Sequence, residues 1–428
     1  MTLLIQKCRL MDPASGRDEI LDILIEGTSI VKIDRSIPAM GDGCEIIDAS
    51  GLVAAPGLID LHAHLREPGY EYKETIRTGT MAAVRGGFTS VVCMANTNPV
   101  NDSISVTAYI VKKAKSEGLA HVFPCGAITK GLEGKELSEV GEMFGAGIVA
   151  LSDDGRSVKN AGLLRKAFEY AKLFDLPLIS HCEDADLADG VVHEGRASLI
   201  SGLDAIPSIA EEIVARRDIA VAKYVDGPVH ITHISTAGTV EIVRDEKKRF
   251  QKVTCDTCPH YFTLSDEATL TFDTNTKVNP PLRSQEDVAA IKEGLRDGTI
   301  DVIATDHAPH DAPSKDVEYT SASFGISGFE TAFSLSLALV HQGVLPLMEL
   351  LRKLTVNPAS ILKLPLGELK EGAAADLILF HPEMEWTVDK YAFRSKGKNT
   401  PFHGFSMKGK NLLTVVDGAI VYRDENYF

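Results

Sequence analysis

The chain has 428 residues, 44% hydrophobic and 24% charged, with 35 glycines and 19 prolines. That is too apolar for a disordered chain and enough for a buried core without disulfides, with room for two or three domains or one large barrel with an appendage. Its 44 basic and 60 acidic side chains leave a net charge of −16, which argues against nucleic acid as a partner, while a local basic pocket still admits a small anion.

Seven cysteines without framework spacing suit a reducing compartment. Cys255-Asp-Thr-Cys258 has no second pair to complete a zinc tetrad. The segment Met1-Thr-Leu-Leu-Ile-Gln-Lys7 lacks a basic stretch followed by an apolar run, and no apolar stretch reaches the ~20 residues of a membrane span. The expectation is a cytoplasmic protein with no membrane partner.

In chain order, Leu3–Ile5, Ile20–Ile25 and Ile30–Ile33 read as short strands separated by polar turns. Eight apolar runs follow: Val53–Ile59, Thr89–Met94, His121–Ile128, Ile148–Leu151, Leu176–Ile179, Val229–Thr232, Val253–Thr257 and Ile300–Ala304. Between them lie segments of helical period. One is Tyr72–Arg85, ended by Gly86-Gly87. Another carries Leu164, Ala167, Phe168, Ala171 and Phe174 on one face. A third runs to about Val225 and opens on a capping box, Ser208-Ile-Ala-Glu211. Near the C-terminus Leu377–Phe380 reads as a strand, and Asn411–Val416 joins Ala419–Tyr422 through the hairpin signal Asp417-Gly418. Eight buried strands alternating with helices predict an α/β fold, a (β/α)₈ TIM barrel over residues 55–365. Residues 1–54 and 366–428 are expected to form a small β-sandwich-like domain from both termini.

Barrel active sites are built at the C-terminal ends of the strands. In this chain those ends carry Asp60-Leu-His62-Ala-His64, Asp153-Asp154-Gly155, His181-Cys-Glu183, His233 and Asp306-His307. His62 and His64 are two apart, so on a strand they face the same way and converge on one ion. Four histidines with two carboxylate sites suit zinc or a similar divalent ion. Six ligands exceed one open tetrahedral site and fit two ions about 3.5–4 Å apart sharing a bridging carboxylate. Such a centre is equipped for hydrolysis of an amide, or its reversal.

Gly57-Leu-Ile-Asp-Leu-His-Ala-His-Leu-Arg-Glu-Pro-Gly69 resembles the dihydroorotases of the amidohydrolase superfamily. The resemblance continues through Met94-Ala-Asn-Thr-Asn-Pro99, Ser152-Asp-Asp-Gly155, Ser180-His-Cys-Glu-Asp184, Thr232-His-Ile-Ser235, Lys277-Val-Asn-Pro-Pro-Leu-Arg283, Ala304-Thr-Asp-His-Ala-Pro-His310 and Phe324-Gly-Ile-Ser-Gly-Phe-Glu330. It implies reversible conversion of N-carbamoyl-L-aspartate to L-dihydroorotate in pyrimidine synthesis, with two metal ions, zinc by donor type. It assigns His62, His64 and Asp306 to the first ion, His181 and His233 to the second, and Asp154 to the bridge. Asp306 is also the expected proton carrier. Dihydropyrimidinases and allantoinases place a carboxylated lysine at the bridge, so Asp154 separates this chain from them.

Arg66, two residues after His64, suits the substrate carboxylate because a guanidinium pairs with it in a planar fork. Asn96 and Asn279 supply amide hydrogen bonds, Phe324 and Gly325 backbone groups for the ring imide, and His310 matches a substrate contact of the family, as does His64. Asp153 and Asp60 are expected to be structural, His230 packed, His307 turned from the metals, and His193, His341, His381 and His403 solvated. Asp311–Ser323 reads equally as a lid or a passive loop. Some relatives associate with aspartate transcarbamoylase; neither that partner nor a homodimer is written in these residues. The competing readings are another cyclic amidase and a non-enzymatic scaffold, and the latter would be free to lose ligands that this chain retains.

Overall fold

The computed structural model describes residues 2–38 and 43–428; Met1 and residues 39–42, within the expected terminal domain, lie outside the described residues. At the N-terminus, β1 (Thr2–Asp12) pairs antiparallel with β2 (Arg17–Glu26), which pairs with β3 (Ser29–Asp34). Strands β4 (Cys44–Asp48) and β5 (Val53–Pro56) run parallel to β1. Gly57 then lets the chain pass close to its neighbour, since a Cβ there would lie 2.1 Å from the Thr89 side chain.

The barrel begins at β6 (Leu58–Ala63) and continues through β7 (Phe88–Cys93), β8 (His121–Gly126), β9 (Ala150–Leu151) and β10 (Leu178–Ser180). A small parallel pair, β11 (Val192–His193) and β12 (Ala205–Ile206), interrupts it before β13 (Val229–Ile231), β14 (Val253–Thr257) and β15 (Val302–Ile303). The eight barrel strands are parallel neighbours in chain order. A bridge between Ala63 and His307, with the His64 N–H donating to the His307 carbonyl at 2.8 Å, brings the last strand beside the first. Each apolar run lands on a barrel strand, but the first straddles β5 and β6. The division expected at 54/55 therefore falls inside β5, because both strands are buried and only Gly57 separates them. Successive residues join different clusters, as the strand period requires. Val91 packs among helix residues such as Ile110, and Val92 with Leu61, Cys125, Ile179 and Leu362.

Two helices differ from expectation. The first spans Ile76–Gly86, not Tyr72–Arg85, because Thr75 caps it: its side chain accepts from the Thr78 N–H, and Thr78 Oγ1 accepts from the Thr75 N–H. Helix Ile209–Val225 starts where expected but without a capping box. Ser208 is itself helical and its side chain makes no cap bond, while Glu211 turns away to accept from the Ser235 and Thr236 N–H groups. Helix Ala161–Lys172 buries Leu164, Ala167, Phe168 and Ala171, with Phe174 just past its end.

The chain returns to the terminal sheet in β16 (Leu377–Thr387), β17 (Ser406–Val416) and β18 (Ala419–Arg423), the last two joined at Asp417-Gly418. Strand β16 pairs with β5, giving one continuous path β18-β17-β16-β5-β1-β2-β3 with β4 on β1, over a core including Leu3, Ile25, Leu377 and Val415. Asp376, just before β16, joins the two sheets: it pairs with His121 of β8 at 3.0 Å and accepts from the Asp417 N–H at 2.8 Å. Among the described residues no helix is long and apolar enough to cross a membrane.

Candidate metal centre and substrate pocket

The ends of β6, β9, β10, β13 and β15 converge. His62 Nε2 lies 3.2 Å from Asp154 Oδ1 and 3.5 Å from Asp306 Oδ1; His64 Nε2 lies 3.5 Å from Asp154 Oδ2 and 3.1 Å from Asp306 Oδ1. Across Asp154, His181 Nδ1 and His233 Nε2 are each 3.7 Å from Oδ1 and 2.8 Å from one another. All six side chains are buried. Two atoms bound about 2.0–2.2 Å from one tetrahedral ion stand about 3.4 Å apart, so the donor set fits divalent metal. The buried Nε2 of His62 has no hydrogen-bond partner, which is the condition of a ligand atom.

Surrounding groups fix the imidazoles. His62 Nδ1 donates to Thr232 Oγ1 at 2.7 Å, and that hydroxyl donates to Asp256 at 2.9 Å, leaving Nε2 for a cation. His64 Nδ1 donates to Asn96 Oδ1 at 2.9 Å, and Asn96 Nδ2 donates to Asp154 at 3.3 Å. His181 turns Nε2 toward Glu183 at 3.4 Å, so Nδ1 faces Asp154. Burial opposes charge on Asp306 and Asp154, but neighbouring histidines outweigh it and hold both carboxyls below their usual range. Burial likewise opposes charge on His62, yet Asp154 and Asp306 push it up to about 10, so a cation held there would have to displace a proton.

The neighbours expected to be structural lie off the cluster. Asp153 accepts from the Ile128 and Thr129 N–H groups at 2.8 and 2.9 Å. Asp60, pushed up to about 7 by burial, accepts from the Thr305 N–H at 2.9 Å. His230 is buried between Thr254 and Asp256, and His307 stacks on Phe329 at 4.1 Å. His193 departs from expectation. It is buried beside Arg283 at 3.3 Å, because the β11–β12 pair folds it under. Three of the expected functional residues have left-handed backbones that side chains disfavour: Arg66 (φ 61°), His233 (φ 39°) and Asp306 (φ 45°).

Beside this cluster opens a cavity of about 370 Å³, lined among others by His64, Arg66, Asn96, Asn279, His310, Phe324 and Gly325. Arg66 Nη2 lies 3.3 Å from His310 Nε2, whose proton goes to the Phe324 carbonyl at 2.8 Å. Burial pushes His310 down to about 2, so it is neutral. Asn279 donates Nδ2 to Glu183 at 2.5 Å and keeps a buried Oδ1 without a hydrogen-bond partner. Gly325 differs from its expected role. Its N–H goes to the Lys277 carbonyl at 2.9 Å and its carbonyl accepts from Asn399 and Lys315 at 3.0 and 3.3 Å, so it offers shape. Sequence reasoning left Glu183 unassigned, although it stands two residues after His181 at the same strand end. Loop 311–323 contains a short helix, Ala312–Lys315.

A dihydro-orotase-like family profile matches residues 51–239. Proteins named dihydroorotase are 50% identical over 426 residues in Syntrophus aciditrophicus and 52% identical over 424 in Geobacter metallireducens, each covering 99% of this chain and 100% of the relative. The chain belongs to the dihydroorotase family. The family's fold extends to solved structures at 23% identity: dihydropyrimidinase from Brevibacillus agri (TM-score 0.87) and L-hydantoinase from Arthrobacter aurescens (TM-score 0.89), each covering 99% of this chain and 96% of the other. Those two likenesses speak for the barrel and its appended sheet.

Proposed function

We propose that the chain catalyses the reversible, metal-dependent closure of N-carbamoyl-L-aspartate to L-dihydroorotate with release of water. The observation that carries this reading is Asp154, whose carboxylate faces four histidines beside a pocket with its own arginine. His62, His64 and Asp306 would hold one divalent ion, His181 and His233 a second, with Asp154 shared; zinc suits this donor set. Bound there, the ions would lower the pKa of water and polarise the ring carbonyl.

The chain's own groups account for the rest. Arg66 pairs with the substrate carboxylate, supported by His310 and Asn96. Asn279, its Nδ2 held by Glu183, accepts a substrate N–H on Oδ1. In hydrolysis Asp306 takes a proton from the attacking water and passes it to the departing ring nitrogen as the C–N bond breaks. Closure reverses each step and consumes the proton that hydrolysis releases. The test is metal content together with turnover of dihydroorotate, hydantoin and allantoin. Turnover of dihydroorotate alone supports this reading; turnover of hydantoin or allantoin in its place would overturn it.

A further inference from the structure

Behind the pocket wall of Ser323, Phe324 and Gly325 stand two lysines, Lys277 and Lys315, only 2% and 6% exposed. Lysine is rarely buried this fully unless a carboxylate meets it. Here main-chain carbonyls do. Lys277 Nζ donates to the Thr320 carbonyl at 2.8 Å, and Lys315 Nζ to those of Ser323 and Gly325 at 2.7 and 3.3 Å. Lys277 Nζ also lies 4.5 Å from the centre of the Phe324 ring. Neutral donors would brace a loop by its carbonyls as well, so two cations call for an anion that uses them. In a chain of net charge −16, Lys315 stands close enough to His310 to act on that imidazole, and Lys277 stands close enough to Lys315 to act on its charge.

We propose that Lys277 and Lys315 form a buried cationic platform behind Phe324 that favours the doubly charged acyclic substrate over the singly charged ring, making them specificity-determining residues. The proposal rests on the dihydroorotase reading, in which carbamoyl aspartate carries one carboxylate more than dihydroorotate. A charge one side-chain layer behind a dry wall is screened far less than one in water. Burial, and then Lys277, push Lys315 down to about 7, opposed by Asp273; across the loop Lys315 in turn disfavours a proton on His310. The platform therefore loses part of its charge as pH rises through about 7, and the preference for the acyclic substrate fades with it.

The experiment measures KM for both substrates in the metal-replete wild type and in Lys315→Met and Lys277→Met. The ratio of KM for carbamoyl aspartate to KM for dihydroorotate should rise about three- to tenfold in either variant. Since the reaction equilibrium fixes the ratio of the two kcat/KM values, the kcat ratio must shift in compensation. A variant in which both KM values change by the same factor, or neither changes, makes the lysines mere loop braces and overturns the proposal. Should neither variant fold, Lys315→Gln and Lys277→Gln, which keep a donor for the loop carbonyls without the charge, decide at the same fixed pH: a risen ratio supports the platform and an unchanged one overturns it. A wild type that turns over neither substrate fails the functional reading instead.

Discussion

The two flanks of the centre are built differently. On the β6–β15 flank, His62 and His64 each face two carboxylates, Asp154 and Asp306, at 3.1–3.5 Å. On the β10–β13 flank, His181 and His233 share only Asp154, at 3.7 Å, and press against one another at 2.8 Å. A cation on the first flank would meet Asp306 and a share of Asp154, and one between the donor atoms of the second only a share of Asp154. The difference teaches that an ion would be gripped by charge on one side and mainly by imidazole on the other, so the second should leave first under chelation.

The largest expected effect breaks the richer flank. Asp306→Asn should lower kcat in both directions by roughly 10²–10⁴, the usual worth of a positioned acid–base group, measured in metal-replete protein. Near-normal turnover either way would move the proton transfer to another residue. Next, His181→Ala strips the leaner flank, and metal analysis should show about one ion fewer per chain with the other retained. Two full ions in that variant would erase the distinction between the flanks. Arg66→Lys leaves both flanks intact and should cost at least roughly tenfold in kcat/KM with unchanged metal content, since an ammonium lacks the planar fork.

The smallest effect lies outside both flanks. The hydrogen bond that His121 donates to Asp376, partly opposed by burial, raises the pKa of His121. That bond stabilises the folded chain fully below the ordinary histidine pKa of about 6.5, and the contribution is lost as pH rises through the raised folded value. His121→Gln should lower Tm by roughly 1–3 °C at pH 6 and by less at pH 9. Equal losses at both pH values would show that His121 acts through packing alone.

Much of this was legible in the residues. Parallel strands buried on both faces read as unbroken apolar runs, so the barrel strands could be located. His62 and His64 declare a shared face by their spacing alone. What stayed hidden depends on partners far along the chain. Glu211 has the spacing of a capping residue, but Ser235 and Thr236, more than twenty positions on, compete for its carboxylate. The Gly325 backbone reads as available until Asn399 and Lys315 are seen to occupy it. The burial of Lys277 and Lys315 also stayed hidden, since nothing in the local sequence marks an ammonium as buried.

The left-handed backbones at Arg66, His233 and Asp306 set a limit on improving this protein for heat. Glycine is the residue that such a backbone favours, so a search for thermostable variants would be drawn to these three positions. Each gain in melting temperature won there would remove a guanidinium, an imidazole or a carboxylate from the centre. Under the proposed assignment heat tolerance and turnover are opposed at these positions, and a durable variant is to be sought in the terminal sheet or on the outer helices.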